Sequence, residues 1–127
     1  MPFEIKWGAP GVLHFAFSGD VTGTELMDCI TKSDQFLPEK LVQPLYVWVE
    51  VGNIRKIPGN VFKALLRAGR LRNVPSGLIV IGPTAYQIMV VRLAAITFWG
   101  IDFKPTFVAS TEEGHAVLKK MLGAAAQ

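Results

Sequence analysis

The chain has 127 residues, half of them hydrophobic and 18% charged, which fits one compact domain spanning 1–127 and excludes a disordered tail, whose hydrophobicity is low and net charge high. Its net charge of +3 is unevenly placed: residues 1–50 hold seven acids against three bases, while residues 51–101 hold seven bases (Arg55, Lys56, Lys63, Arg67, Arg70, Arg72, Arg92) and no acid. An acidic partner is therefore expected to meet the middle of the chain.

One cysteine, Cys29, excludes an intrachain disulfide and a cluster of thiolate metal ligands. The N-terminus, Met-Pro-Phe-Glu-Ile-Lys, has no apolar stretch that could act as a secretion signal. The apolar stretch Leu78 to Ile101 is broken by Gly82-Pro83 and by Arg92, which argues against a membrane span. The expected address is cytoplasmic, with a peripheral place at the inner membrane surface as the alternative.

Phe3–Trp7 and Val12–Phe17 flank Gly8-Ala9-Pro10-Gly11 and read as two strands joined by a hairpin turn. Thr22 followed by Glu25 is a capping-box pattern, and Leu26, Ile30 and Leu37 recur at roughly helical spacing behind it. Leu45, Val47, Val49 and Val51 alternate with Tyr46, Trp48 and Glu50, the period of a strand with different environments on its two faces. Asn60 can cap a helix over 61–72.

Leu78-Ile-Val-Ile81 is an uninterrupted apolar run between glycines, as in a strand covered on both sides. A helix follows from Thr84 to Trp99 and stops at Gly100. Phe103–Val108 reads as the last strand, placed at an edge because Pro105 removes a ladder donor. Ser110 and Glu113 form a second capping box and open a final helix with Val117, Leu118, Met121 and Leu122 inward. The order is ββαβαβαβα. Strands that alternate with helices need crossovers, which makes the class α/β and the sheet mostly parallel and covered by helices.

That order resembles the STAS domain of bacterial anti-sigma-factor antagonists and sulfate transporter tails, over nearly the whole chain. Val47-Trp-Val-Glu-Val-Gly-Asn-Ile-Arg-Lys-Ile57 looks like the family's central strand and following turn, and Phe62-Lys-Ala-Leu-Leu66 stands in the place of its switch helix. Val12 to Asp20 looks like the second strand, and Phe107 through Leu122 is similar to the end of the lipid-associated STAS-like branch. Phosphorylatable members open the switch helix with an Asp-Ser-Ser-Gly type motif. Here the corresponding stretch is Pro58-Gly59-Asn60-Val61, which has no hydroxyl to accept a phosphoryl group. The resemblance implies a SpoIIAA-like regulatory or adaptor domain that binds a partner protein without kinase control.

The candidate binding site is the expected helix start at Pro58, Gly59 and Asn60, where free backbone N–H groups and the helix dipole favour an anion. At 100° per residue, Lys63, Arg67 and Arg70 fall within about 60° of one another and form a basic stripe suited to an acidic protein, a nucleotide phosphate or an anionic lipid. The bland alternative is a solvated basic face. No nucleic-acid motif accompanies the stripe, so no nucleic acid is expected.

The helix over 84–99 is apolar almost all the way round. Tyr86, Met89, Val90, Leu93 and Ile96 form one face, expected on the sheet. Ile88, Val91, Ala95, Phe98 and Trp99 form the opposite one, which must meet another part of the chain, a second copy in a homodimer, a lipid or a hydrophobic ligand. Arg92 lies between the two, where it could reach an acidic head group.

No catalytic set emerges, and neither an enzyme, a metal nor a cofactor is expected. His14 shares a strand face with Val12 and Ala16, none of which supplies chemistry, and reads as structural. His115 has no cysteine or second histidine at ligand spacing. Cys29 reads as a small buried hydrophobe, and Glu112-Glu113 as residues that complement a helix dipole.

Overall fold

The computed structural model describes residues 3–8, 11–36, 44–56 and 75–126. They form β1 (Phe3–Trp7), β2 (Val12–Asp20), α1 (Gly23–Phe36), β3 (Tyr46–Lys56), β4 (Gly77–Ile81), α2 (Ala85–Trp99), β5 (Thr106–Val108) and α3 (Thr111–Ala126). The helix expected over 61–72 lies outside the described residues.

The strands make one sheet in sequence order, β1-β2-β3-β4-β5. The β1–β2 pair is antiparallel and joined at the expected hairpin, where the Gly8 N–H donates to the Val12 carbonyl at 2.9 Å and Gly11 takes φ +80°. The other three pairs are parallel, as crossover connections require. β5 is an edge strand, and it is only three residues long because pairing begins just after Pro105.

Alternation along the strands divides the core between two faces. On one, Val12, Tyr46, Trp48, Ile79, Ile81 and Val108 pack under α3 through Val117, Leu118 and Met121. On the other, Leu13, Val47, Val51, Leu78 and Val80 pack with Phe15 and Phe17, with Val91 and Trp99 of α2, and with Phe107. β4 is buried throughout, which is why its sequence is an unbroken apolar run. The expected inward set of the last helix holds for Val117, Leu118 and Met121, but Leu122 is exposed, since it falls past the edge of the stripe that faces the sheet.

The helix starts are fixed by local chemistry. Thr22 and Glu25 form the full reciprocal box at α1: the Glu25 N–H donates to Thr22 Oγ1 at 3.2 Å, and the Thr22 N–H to Glu25 Oε2 at 3.0 Å. Thr84 and Gln87 do the same at α2, a box the sequence reading did not single out because the acceptor is an amide. At α3 the Ser110 hydroxyl accepts from the Glu113 N–H, but the Glu113 carboxylate reaches the Ala109 N–H at 3.3 Å, one residue before the cap.

Candidate functional site

The basic site expected from the sequence, Pro58, Gly59, Asn60, Lys63, Arg67 and Arg70, lies outside the described residues. What the structure shows is the edge from which that segment departs. β2, β3 and β4 run parallel, so Asp20, Lys56 and Ile81 all end at one side of the sheet. Open α/β sheets bind ligands outside these carboxyl ends. The backbones of Gly52 and Gly82 pass closely there: a Cβ on Gly82 would stand 3.3 Å from Gly52 Cα, and Gly82 has φ +73°, so both space and conformation favour glycine.

The faces of α2 depart from the sequence reading, although Val90 of the expected sheet face is buried. Ala95 and Phe98 are buried and Val91 and Trp99 pack on the sheet core, so Ile88, Val91, Ala95, Phe98 and Trp99 do not form an outer interface. The solvent side carries Tyr86, Met89 and Ile96, which are 41%, 53% and 45% exposed. The physical reason lies in the helix being apolar all round, so that hydrophobic periodicity could not select a face. The bulkier Phe98-Trp99 pair selected it, with Trp99 4.8 Å from the Phe103 ring and Phe98 edge-on to Trp99. Arg92 is exposed, and its guanidinium lies over the Phe107 ring at 5.4 Å.

The least anticipated arrangement is on the opposite face. Trp48, almost fully buried, is flanked by two imidazoles: His14 stacks on it with ring centroids 5.4 Å apart, and His115 of α3 lies at 4.8 Å. The indole Nε1–H donates to Glu50 Oε1 at 3.1 Å. Register puts Lys6 beside His14 on one side and Trp48 on the other. A Cβ on Gly8 would collide with the His14 ring, and a Cβ on Gly114 would reach within 2.7 Å of Trp48 Cη2, so both ends of the cluster are fitted to glycine backbone. Burial holds the His14 pKa below its ordinary 6.5, with Lys6 and His115 acting in the same direction and Glu50 opposing them. Sequence reasoning missed the cluster because it considered only neighbours along one strand, whereas the partners come from β1, β3 and α3.

Cys29 fits its expected role: it is buried, and desolvation pushes its thiol up to about 12, so it behaves as a small apolar group. Among the described residues no three His, Cys, Asp or Glu side chains are grouped so as to hold a metal, and no helix is long and apolar enough to cross a membrane.

No family model and no curated protein matches the sequence. The chain is similar in structure to an uncharacterized protein of the DUF3478 family with a SpoIIAA-like fold from Shewanella loihica PV-4, at a TM-score of 0.59 and 14% identity over 91% of each chain. It also aligns with the anti-sigma factor antagonist SpoIIAA in its unphosphorylated form, at a TM-score of 0.47 and 11% identity over 93% of this chain and 97% of the other. Among the described residues the sheet runs in sequence order with one antiparallel hairpin and helices on both faces, and the chain has an α/β SpoIIAA-like fold.

Proposed function

We propose that this is a non-enzymatic regulatory or adaptor domain that binds an acidic surface of a partner protein through the basic segment following β3. The observation that supports it is the convergence of β2, β3 and β4 at one carboxyl edge, from which β3 delivers the chain at Lys56 into the stretch carrying Lys63, Arg67 and Arg70. Pro58-Gly59-Asn60 has the sequence of a helix start, which favours an acid, and no hydroxyl to phosphorylate, so the proposed binding is constitutive. Charge reversal at both Arg67 and Arg70 is expected to abolish capture of interacting proteins by the immobilised domain, with an unchanged circular dichroism spectrum. Undiminished capture by that variant would refute the reading.

A second reading is favoured by the exposed row Tyr86, Met89 and Ile96 next to Arg92, within the acid-free stretch 51–101. Here α2 lies on an anionic lipid surface, its apolar side chains in the interface and the bases near head groups. Flotation with anionic vesicles at low salt tests it. Binding should weaken as salt rises and drop in Met89→Asp/Ile96→Asp, and no binding at low salt refutes it.

A further inference from the structure

We propose that His14 and His115 form a proton-operated clamp on Trp48, which seats the N-terminal end of α3 on the sheet when both imidazoles are neutral and loosens it when both are charged. The geometry converges from three elements. Trp48 rises from β3, His14 stands beside it on β2, and His115 reaches it from the helix above, with ring centroids 5.4 and 4.8 Å from the indole. Gly114 rests directly against the same indole, so the Trp48 ring is the floor on which the start of α3 sits.

Burial opposes a charge on His14 most strongly, and the charged groups around it act on both sides. Glu50 from β3, the strongest of the charge influences, favours the charged imidazole, while Lys6 from β1 and His115 from α3 disfavour it. Glu50 already accepts the indole N–H, and Glu4 of β1 pairs with the Lys6 ammonium at 3.8 Å. Of the groups that act on His14 the one carboxylate is therefore shared with the indole, while on α3 Glu112 stands one turn before His115. The His14 ring also lies against the Gly8 backbone, on the side where a Cβ would collide with it. Its relief is to swing toward solvent, which uncovers the indole edge and removes the packing under Gly114 and His115. Burial, the largest influence on His14, acts with Lys6 and His115 against protonation, and Glu50 opposes them.

The clamp is independent of the partner site, and its test uses the full chain without any partner. Two-dimensional NMR of the 15N-labelled protein from about pH 7.5 to about pH 5 reads both imidazole midpoints, the Trp48 Nε1–H resonance and the exchange of α3 amides, in wild type, His115→Gln and His14→Gln/His115→Gln. Acidification of the wild type is expected to accelerate exchange in the first turns of α3 beyond the ordinary pH correction, and to move the Trp48 resonance together with the His14 titration. In His115→Gln the His14 midpoint shifts upward, and in the double variant the pH dependence of exchange is lost. Exchange that stays constant across the range, acceleration that persists in the double variant, or a His14 midpoint indifferent to His115 would each overturn the proposal. His115 is exposed, so the wild-type and His115→Gln arms decide the matter even where the His14 substitution perturbs folding.

Discussion

Two glycines of α3 should respond in opposite ways to the same substitution. Replacing glycine by alanine inside a helix ordinarily gains about 0.5–1 kcal/mol, because alanine loses less backbone freedom on folding. At Gly123 a Cβ meets nothing within 4 Å, so Gly123→Ala should realise about 0.5 kcal/mol of that gain near the helix end. At Gly114 the new Cβ would stand 2.7 Å from Trp48 Cη2, 3.1 Å from Cζ3 and 3.3 Å from Ile81 Cδ1. Trp48 and Ile81 are both buried, and the two nearest atoms belong to the rigid indole ring, so the helix must lift or the indole must tilt. Overpacking of this kind costs about 1–3 kcal/mol. Set against the propensity gain, Gly114→Ala should lose up to about 2 kcal/mol net, and should melt several degrees below Gly123→Ala at roughly 3–6 °C per kcal/mol for a chain of this size. Urea denaturation and thermal melts followed by far-UV circular dichroism measure both. The loss should vanish in a Trp48→Phe background, where the indole atoms nearest the new methyl are gone, which makes the pair a double-mutant cycle. If Gly114→Ala proves as stable as Gly123→Ala, α3 is not seated on Trp48, and the clamp falls with it.

Stability should also depend on pH through His14. Its folded pKa lies below 6.5, so the unfolded chain binds more protons in that range; the contribution is complete above about pH 6.5 and is lost as pH falls through the depressed value. Urea midpoints that do not fall between neutral and mildly acidic pH, relative to His14→Gln, would contradict this. The Cys29 thiol, pushed up to about 12 and buried, should react with a disulfide reagent at pH 8 at the rate of unfolding and not at that of a free thiol; immediate reaction in the native state would show the site to be open.

Hydrophobic periodicity and capping residues together determined the order of the described elements, because each of them carries its own instruction. A period of two marks β3, an unbroken apolar run marks β4, and hydroxyl-acid pairs mark the starts of α1 and α3. The same pattern carried the resemblance that the SpoIIAA-like fold bears out. What the sequence left undecided were relations between elements. α2 is apolar on every side, so only the shape of the surface beneath it could choose Ala95 and Phe98 for burial and leave Met89 and Ile96 in solvent. His14, Trp48 and His115 are distant in the chain and share no spacing, and each read singly is a structural residue. Strand register places the first two side by side, and the close seat at Gly114 brings the third onto the same indole. Periodicity reports which side of an element is apolar, whereas a site is made of neighbours, and neighbours are settled by register and packing.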